Sequence, residues 1–155
     1  MKIAICDKIG LCYDGTTLQK NGLGGSESAV ILMSKELHSV GFEVTVFNNC
    51  NDSSHSSAGV YDGVRYIDNS DAANHTETYD IVIVSRTAEP FLNKKRYPFL
   101  EKARMKVLWL HDTFCEGDQY VQNLLLSGKI DYLFTLSDFH TNYVLNCDHG
   151  QKRNY

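Results

Sequence analysis

The stretch "GLGGSESAVILMSKELHSVGFEVTVFNN", Gly22 to Asn49, opens on glycines, runs on as an apolar stripe, breaks at Gly41 and resumes as an alternating run. Ala29, Leu32, Met33, Leu37 and Val40 recur at helical spacing, which predicts an amphipathic helix from Ser26 to Val40. Gly41 stands where a helix end calls for positive φ, and Phe42 is placed to fold back onto the last turn. "FEVTVFN" then reads as a strand. The glycines raise a chemical question. N–H groups at a helix start, with the helix dipole behind them, attract anions, and a backbone without side chains lets a phosphate come close. A plain turn would use the same glycines for geometry alone, and both readings stand on these residues.

Outward from this stretch the chain keeps alternating. "KIAIC" (Lys2–Cys6) is a short buried strand. Residues 7–25 hold five glycines and no helical stripe, a length that points to a functional loop. Val60–Asp68 reads as a hairpin around Asp62-Gly63, followed by a loop with one helical turn. "YDIVIVSR" (Tyr79–Arg86) has the β-branched density of a central parallel strand. Pro90 suits a helix start and Pro98 prevents a long helix. "KVLWLH" (Lys106–His111) is a further strand, and a short helix stops near Gly128. "IDYLFTLS" (Ile130–Ser137) is the last strand, and the final helix takes Asp138 as its N-cap. The pattern predicts an α/β, Rossmann-like three-layer fold with a mainly parallel central sheet, all of residues 1–155 forming one domain. Ligands of such sheets bind outside the carboxyl ends of the strands.

The 155 residues suffice for a real core. A net charge of -4 argues against a nucleic-acid partner. No apolar run reaches transmembrane length, and the N-terminus lacks the pattern of a secretory leader, so the expected location is cytoplasmic. Asn51-Asp-Ser and Asn74-His-Thr are then idle as glycosylation triplets. Cys6, Cys12, Cys50, Cys115 and Cys147 are odd in number and without C-x-x-C, and read as free thiols. The polar ending "HGQKRNY" reads as a cut within a longer chain.

Familiar nucleotide motifs fail. "GLGGSE" is G-x-G-x-x-E, and the second strand ends in Asn48-Asn49 with no carboxylate for a ribose, which disfavours an NAD-dependent oxidoreductase. A P-loop is absent. His111 ends a central strand beside Asp112, the position of a crevice-facing group, although a histidine bonded to a nearby carbonyl would also fit there. His111, Asp112 and Cys115 do not complete a metal set, so no metal and no cofactor are expected. Ser85 and Ser137 end strands outside any G-x-S-x-G, and Ser137 helps start the last helix. His38, His55 and His75 read as solvated.

Gly24-Gly25-Ser26-Glu27, the helix after it, Gly41-Phe42-Glu43-Val44-Thr45-Val46, "WLHD" and "IDYLFTLSDFHTNYVL" together resemble the N-terminal Rossmann-like domain of glycosyltransferase family 4, retaining enzymes of the GT-B fold. The family pattern there is G-G-x-E and G-H-E-V-T-V, with Phe42 standing here for the histidine, and the likeness spans nearly all of residues 1–150. It implies that Gly24 and Gly25 close on the diphosphate of a UDP- or GDP-sugar donor and that His111 sits beside the donor sugar. Glu27, Asp112 and Ser137 would support them. The acceptor would be a glycan or another molecule. Further groups, a basic pair and an E-x7-E pair, belong to a C-terminal GT-B domain that this chain lacks, so the chain alone is expected to transfer no sugar. The competing expectation is a stand-alone, non-catalytic α/β binding or regulatory module.

Overall fold

The computed structural model describes residues 1–20, 22–51, 56–112 and 121–146. In chain order these form β1 (Lys2–Cys6), α1 (Thr17–Lys20), α2 (Gly25–Ser39), β2 (Glu43–Asn48), β3 (Gly59–Tyr61), β4 (Val64–Asp68), β5 (Ile81–Ser85), α3 (Glu89–Leu92), β6 (Met105–Trp109), α4 (Val121–Leu126), β7 (Tyr132–Phe134) and α5 (Asp138–Asn146). Tighter 3-10 turns cover Asn69–Asn74 and Pro98–Lys102. The strands make one seven-stranded sheet in the order β3-β4-β2-β1-β5-β6-β7. All neighbours run parallel except the β3–β4 hairpin, whose turn residues Asp62 and Gly63 have φ of 49° and 80°. Two consecutive left-handed residues are what a two-residue hairpin turn needs. The expected α/β, Rossmann-like fold is therefore present.

Alternation along the strands splits the core in two. Ala4, Cys6, Val82, Val84, Leu108 and Leu110 face Phe91, Phe99, Leu124 and Val144 of the later helical segments. Ile3, Ile5, Val44, Val46, Ile83, Val107 and Trp109 face Val30 and Ile31 of α2 together with Tyr13. Both faces of β1 and β5 are thus covered, as their β-branched composition requires. At the far edge β7 is barely covered: Tyr132 and Phe134 are about half exposed.

Three local expectations need correction. The buried stripe of α2 is Glu27, Val30, Ile31 and Ser34, whereas Leu32 and Val40 lie in solvent. Two of the four core-facing residues are polar, so a stripe drawn from apolar residues alone lands a third of a turn away. The segment between β1 and α2 contains the single helical turn α1. His75 is half-buried rather than solvated: its Nε2 lies 2.7 Å from the Tyr79 hydroxyl and its ring packs edge-on against Phe47 and Phe99. His38 is exposed, as expected. Cys6 and Cys50 are buried thiols, while His55, Cys115 and Cys147 lie outside the described residues. Among the described residues no helix is long and apolar enough to cross a membrane.

Candidate functional site

The strand order reverses between β1 and β5, which places the ends of these strands at the switch point where α/β folds receive ligands. Asp7 directly follows β1 and Arg86 directly follows β5. The Arg86 guanidinium donates through Nη2 to Asp7 Oδ1 at 3.1 Å and to Glu27 Oε1 at 3.2 Å. Glu27 comes from the first turn of α2, and its Oε1 also accepts the Leu11 backbone N–H at 3.2 Å. The Tyr13 hydroxyl donates to Asp7 Oδ2 at 2.9 Å. The side chains of Asp7, Glu27 and Arg86 are 0%, 5% and 15% exposed, so two carboxylates share one guanidinium out of water. Burial pushes the Asp7 carboxyl up to about 6, against the opposing pull of Arg86 and the Tyr13 hydrogen bond.

Backbone geometry is shaped around this cluster. Arg86 has φ of 66°, a left-handed conformation that costs a non-glycine residue about 1–2 kcal/mol and is sustained only where the surroundings fix it. Its N–H still donates to Trp109 O at 2.8 Å, so the ladder continues past the bend. A Cβ at Gly10 would stand 2.2 Å from Arg86 Nη2 and 2.4 Å from Glu27 Oε1.

The two glycines expected to admit a phosphate differ from each other. Gly24 is the N-cap of α2, with extended backbone and no side-chain cap, and a Cβ on it would stand 2.3 Å from Glu27 Oε2. Its lack of a side chain makes room for the Glu27 carboxylate, which supplies negative charge at the helix start. Gly25 is exposed, and a Cβ there would meet nothing within 4 Å. Gly24→Ala is therefore expected to cost about 1–3 kcal/mol by overpacking, and Gly25→Ala to stay within about 0.5 kcal/mol of the parent. Urea denaturation of the two variants side by side checks this, and equal losses would contradict the geometry.

His111 lies two residues past β6, half-buried, with its ring 4.2 Å from that of Trp109. Its Nε2 is buried and has no hydrogen-bond partner among the described residues. Desolvation lowers its pKa, and the nearby Arg86 charge lowers it further against the pull of Asp112 and Glu27, so the ring is a neutral hydrogen-bonding group at neutral pH. Asp112 is exposed beside it. Ser85 Oγ is fully buried and likewise without a partner among the described residues. Strand alternation puts it on the α2 side with Ile83.

Ser137, not Asp138, caps α5: its Oγ accepts the His140 N–H at 3.2 Å, the N-cap to N3 bond, while Asp138 is the first helical residue. The structure thus brings Glu27 onto Arg86 with Gly24 against the Glu27 carboxylate, sets His111 within electrostatic range of both charges, leaves Gly25 and Asp112 on the surface, and gives Ser137 a capping role. Asp7, Arg86 and His140 are the additions that the sequence reading did not single out. For the first two a signal was present, because each is a charged residue at the carboxyl end of a central strand, the same position that marked His111.

At the opposite end of the sheet a groove of about 350 Å³ is lined by Lys2, Glu43, Arg65, Glu77 and Tyr79 among others. Its charges already satisfy one another: Lys2 pairs with Glu43 and Glu77, and Arg65 with Glu77 at 2.7 Å. Among the described residues no group of three or more His, Cys, Asp or Glu could hold a metal ion. Comparison of the chain with models of protein families, with curated proteins and with solved structures gives no match in any of the three.

Proposed function

We propose that the chain is the acceptor-side domain of a retaining glycosyltransferase of the GT-B type, using a UDP- or GDP-sugar and requiring a C-terminal partner domain for turnover. The observation that supports it most is the Arg86 guanidinium held at the switch point, next to the N-terminus of α2 and within electrostatic range of His111. A nucleoside diphosphate leaves as an anion, and preorganised positive charge offsets the charge that develops in the transition state. In this reading the first-turn N–H groups of α2 and Arg86 face the diphosphate. Glu27, whose carboxylate now holds Arg86, must yield part of that guanidinium when the phosphate arrives. His111, neutral and with no partner for its Nε2 among the described residues, holds a hydroxyl of the sugar so that the acceptor attacks from the face the diphosphate leaves. The leaving phosphate takes the acceptor's proton, and no step needs a charged imidazole.

In the two-domain enzyme, His111→Ala should lower the transfer rate by about 100-fold or more while leaving nucleoside diphosphate affinity within a few-fold. Rate and affinity measured on the same variant decide it: unchanged transfer removes His111 from the mechanism, and equal losses make it a binding group only. A second reading, a non-catalytic binding module, draws support from one feature. The Glu27 carboxylate already lies against the N-cap of α2, where a phosphate would otherwise sit. Amide NMR separates the two, because UDP or GDP binding at α2 moves the Gly25, Ser26 and Glu27 signals, and a site reserved for Glu27 does not respond.

A further inference from the structure

His140 is the least expected polar residue in the fold. It sits in the first turn of α5, immediately after β7 and at the same end of the sheet as His111, and only 3% of it is exposed. Its Nδ1 accepts the Leu136 backbone N–H at 3.3 Å. A ring nitrogen that accepts carries no hydrogen, so in the neutral ring the hydrogen is on Nε2. That Nε2 is buried and has no hydrogen-bond partner among the described residues. Buried N–H groups are nearly always paired, and an exception at the carboxyl ends of parallel strands calls for a ligand atom. The strands that carry the two rings are neighbours: β6 pairs β7 in parallel, and the Leu110 N–H, one residue before His111, donates to Phe134 O at 2.8 Å at the end of β7. The two sides of the crevice therefore differ in chemistry. The β1–β5 side offers a guanidinium and the start of α2, suited to phosphate. The β6–β7 side offers two imidazoles whose Nε2 atoms have no partner among the described residues, and Asp112 after β6 and Asp138 at the start of α5 are negative and exposed. Uncharged imidazole hydrogen-bonding atoms beside these carboxylates suit the hydroxyls of an uncharged polyol.

We propose that His140 donates its Nε2–H to a hydroxyl of the donor sugar, so that His111 and His140 form a two-imidazole seat for the sugar beside the diphosphate. The assignment rests on the glycosyl-transfer reading above and adds to it the group that reads the sugar. The test follows the imidazole ¹⁵N and amide signals of the full chain by NMR during titration with UDP, GDP, UDP-glucose and GDP-mannose at millimolar concentration, where weak binding still registers. The expected result is that His140 Nε2 moves with at least one nucleotide sugar and not with the matching nucleotide, while the Gly25–Glu27 amides move with both. His140→Gln, which keeps an N–H near the same place, should retain the preference for the nucleotide sugar over the nucleotide. His140→Leu should lose it, about 10-fold in affinity ratio for one good hydrogen bond. If the α2 amides respond and His140 does not, or if it responds equally to bare nucleotide, the sugar seat is wrong and the function stands. If no signal moves with any of the four probes, both fail. Should His140→Leu fail to fold, the wild-type titration and the glutamine variant still decide.

Discussion

Arg86→Met should destabilise the chain by about 3–5 kcal/mol near pH 8, the usual cost of stripping a buried charge of its partner. The loss arises because Asp7 and Glu27 would then be buried with no cation between them. The methionine keeps most of the side-chain volume, so a cavity contributes little. Denaturant unfolding of the variant gives the loss, and two controls identify its source. Adding Asp7→Asn and Glu27→Gln to Arg86→Met should recover most of it, because the buried charges are then gone. Lowering the pH towards 5 should also shrink it, since Asp7 is then largely protonated in both proteins and one of the two buried negative charges is gone. A triple variant as unstable as the single one would mean that Arg86 matters through its bent backbone and not through its charge.

The second large effect is the pH dependence contributed by Asp7. Its folded pKa of about 6 lies above the value of an exposed aspartate, so the protonated form is the one that folding favours. The contribution to stability is complete below the unfolded pKa, declines as pH rises from about 4 to about 6, and is flat beyond, a total of about 3 kcal/mol for two units. The stability of wild type relative to Asp7→Asn should fall by that amount across that window. His111 titrates with the opposite sign, its lowered pKa costing stability as pH falls, but it is common to both proteins and cancels in the difference. A flat difference curve would show that Asp7 remains ionised throughout and that Arg86 fully offsets its burial.

Most of the fold was legible because its strands are continuous apolar runs and its turns carry glycine at the bends. β1, β2, β5 and the Asp62-Gly63 hairpin fall where the sequence puts them to within a residue or two. The core face of α2 was not legible, since Glu27 and Ser34 point inward and Leu32 outward, against polarity. Glu27 is inward for a reason outside its helix, the guanidinium of Arg86, and no local window contains both. The same holds for Asp7 and Arg86, which meet only because β5 returns to pair with β1. His140 hid for another cause. A histidine in a helix with the surface-like pattern "DFHTNY" gives no sign that one ring nitrogen satisfies the turn before it while the other is shut in with no partner among the described residues.

The strand order has a consequence for how the chain comes into being. Asp7 and Arg86 are 79 residues apart, and β1 pairs β2 on one side long before β5 exists to pair it on the other. Closing a loop of that length costs about 4 kcal/mol of chain entropy before any contact returns it. During synthesis from the N-terminus, β1 to β4 can assemble as a sheet whose open edge is β1, flanked by the apolar Ile3, Ala4 and Ile5. That edge invites pairing with other nascent chains until β5 emerges. The buried cluster of Asp7, Glu27 and Arg86 is then among the last features to form, and the late docking of β5 becomes the step that closes both the sheet and that cluster.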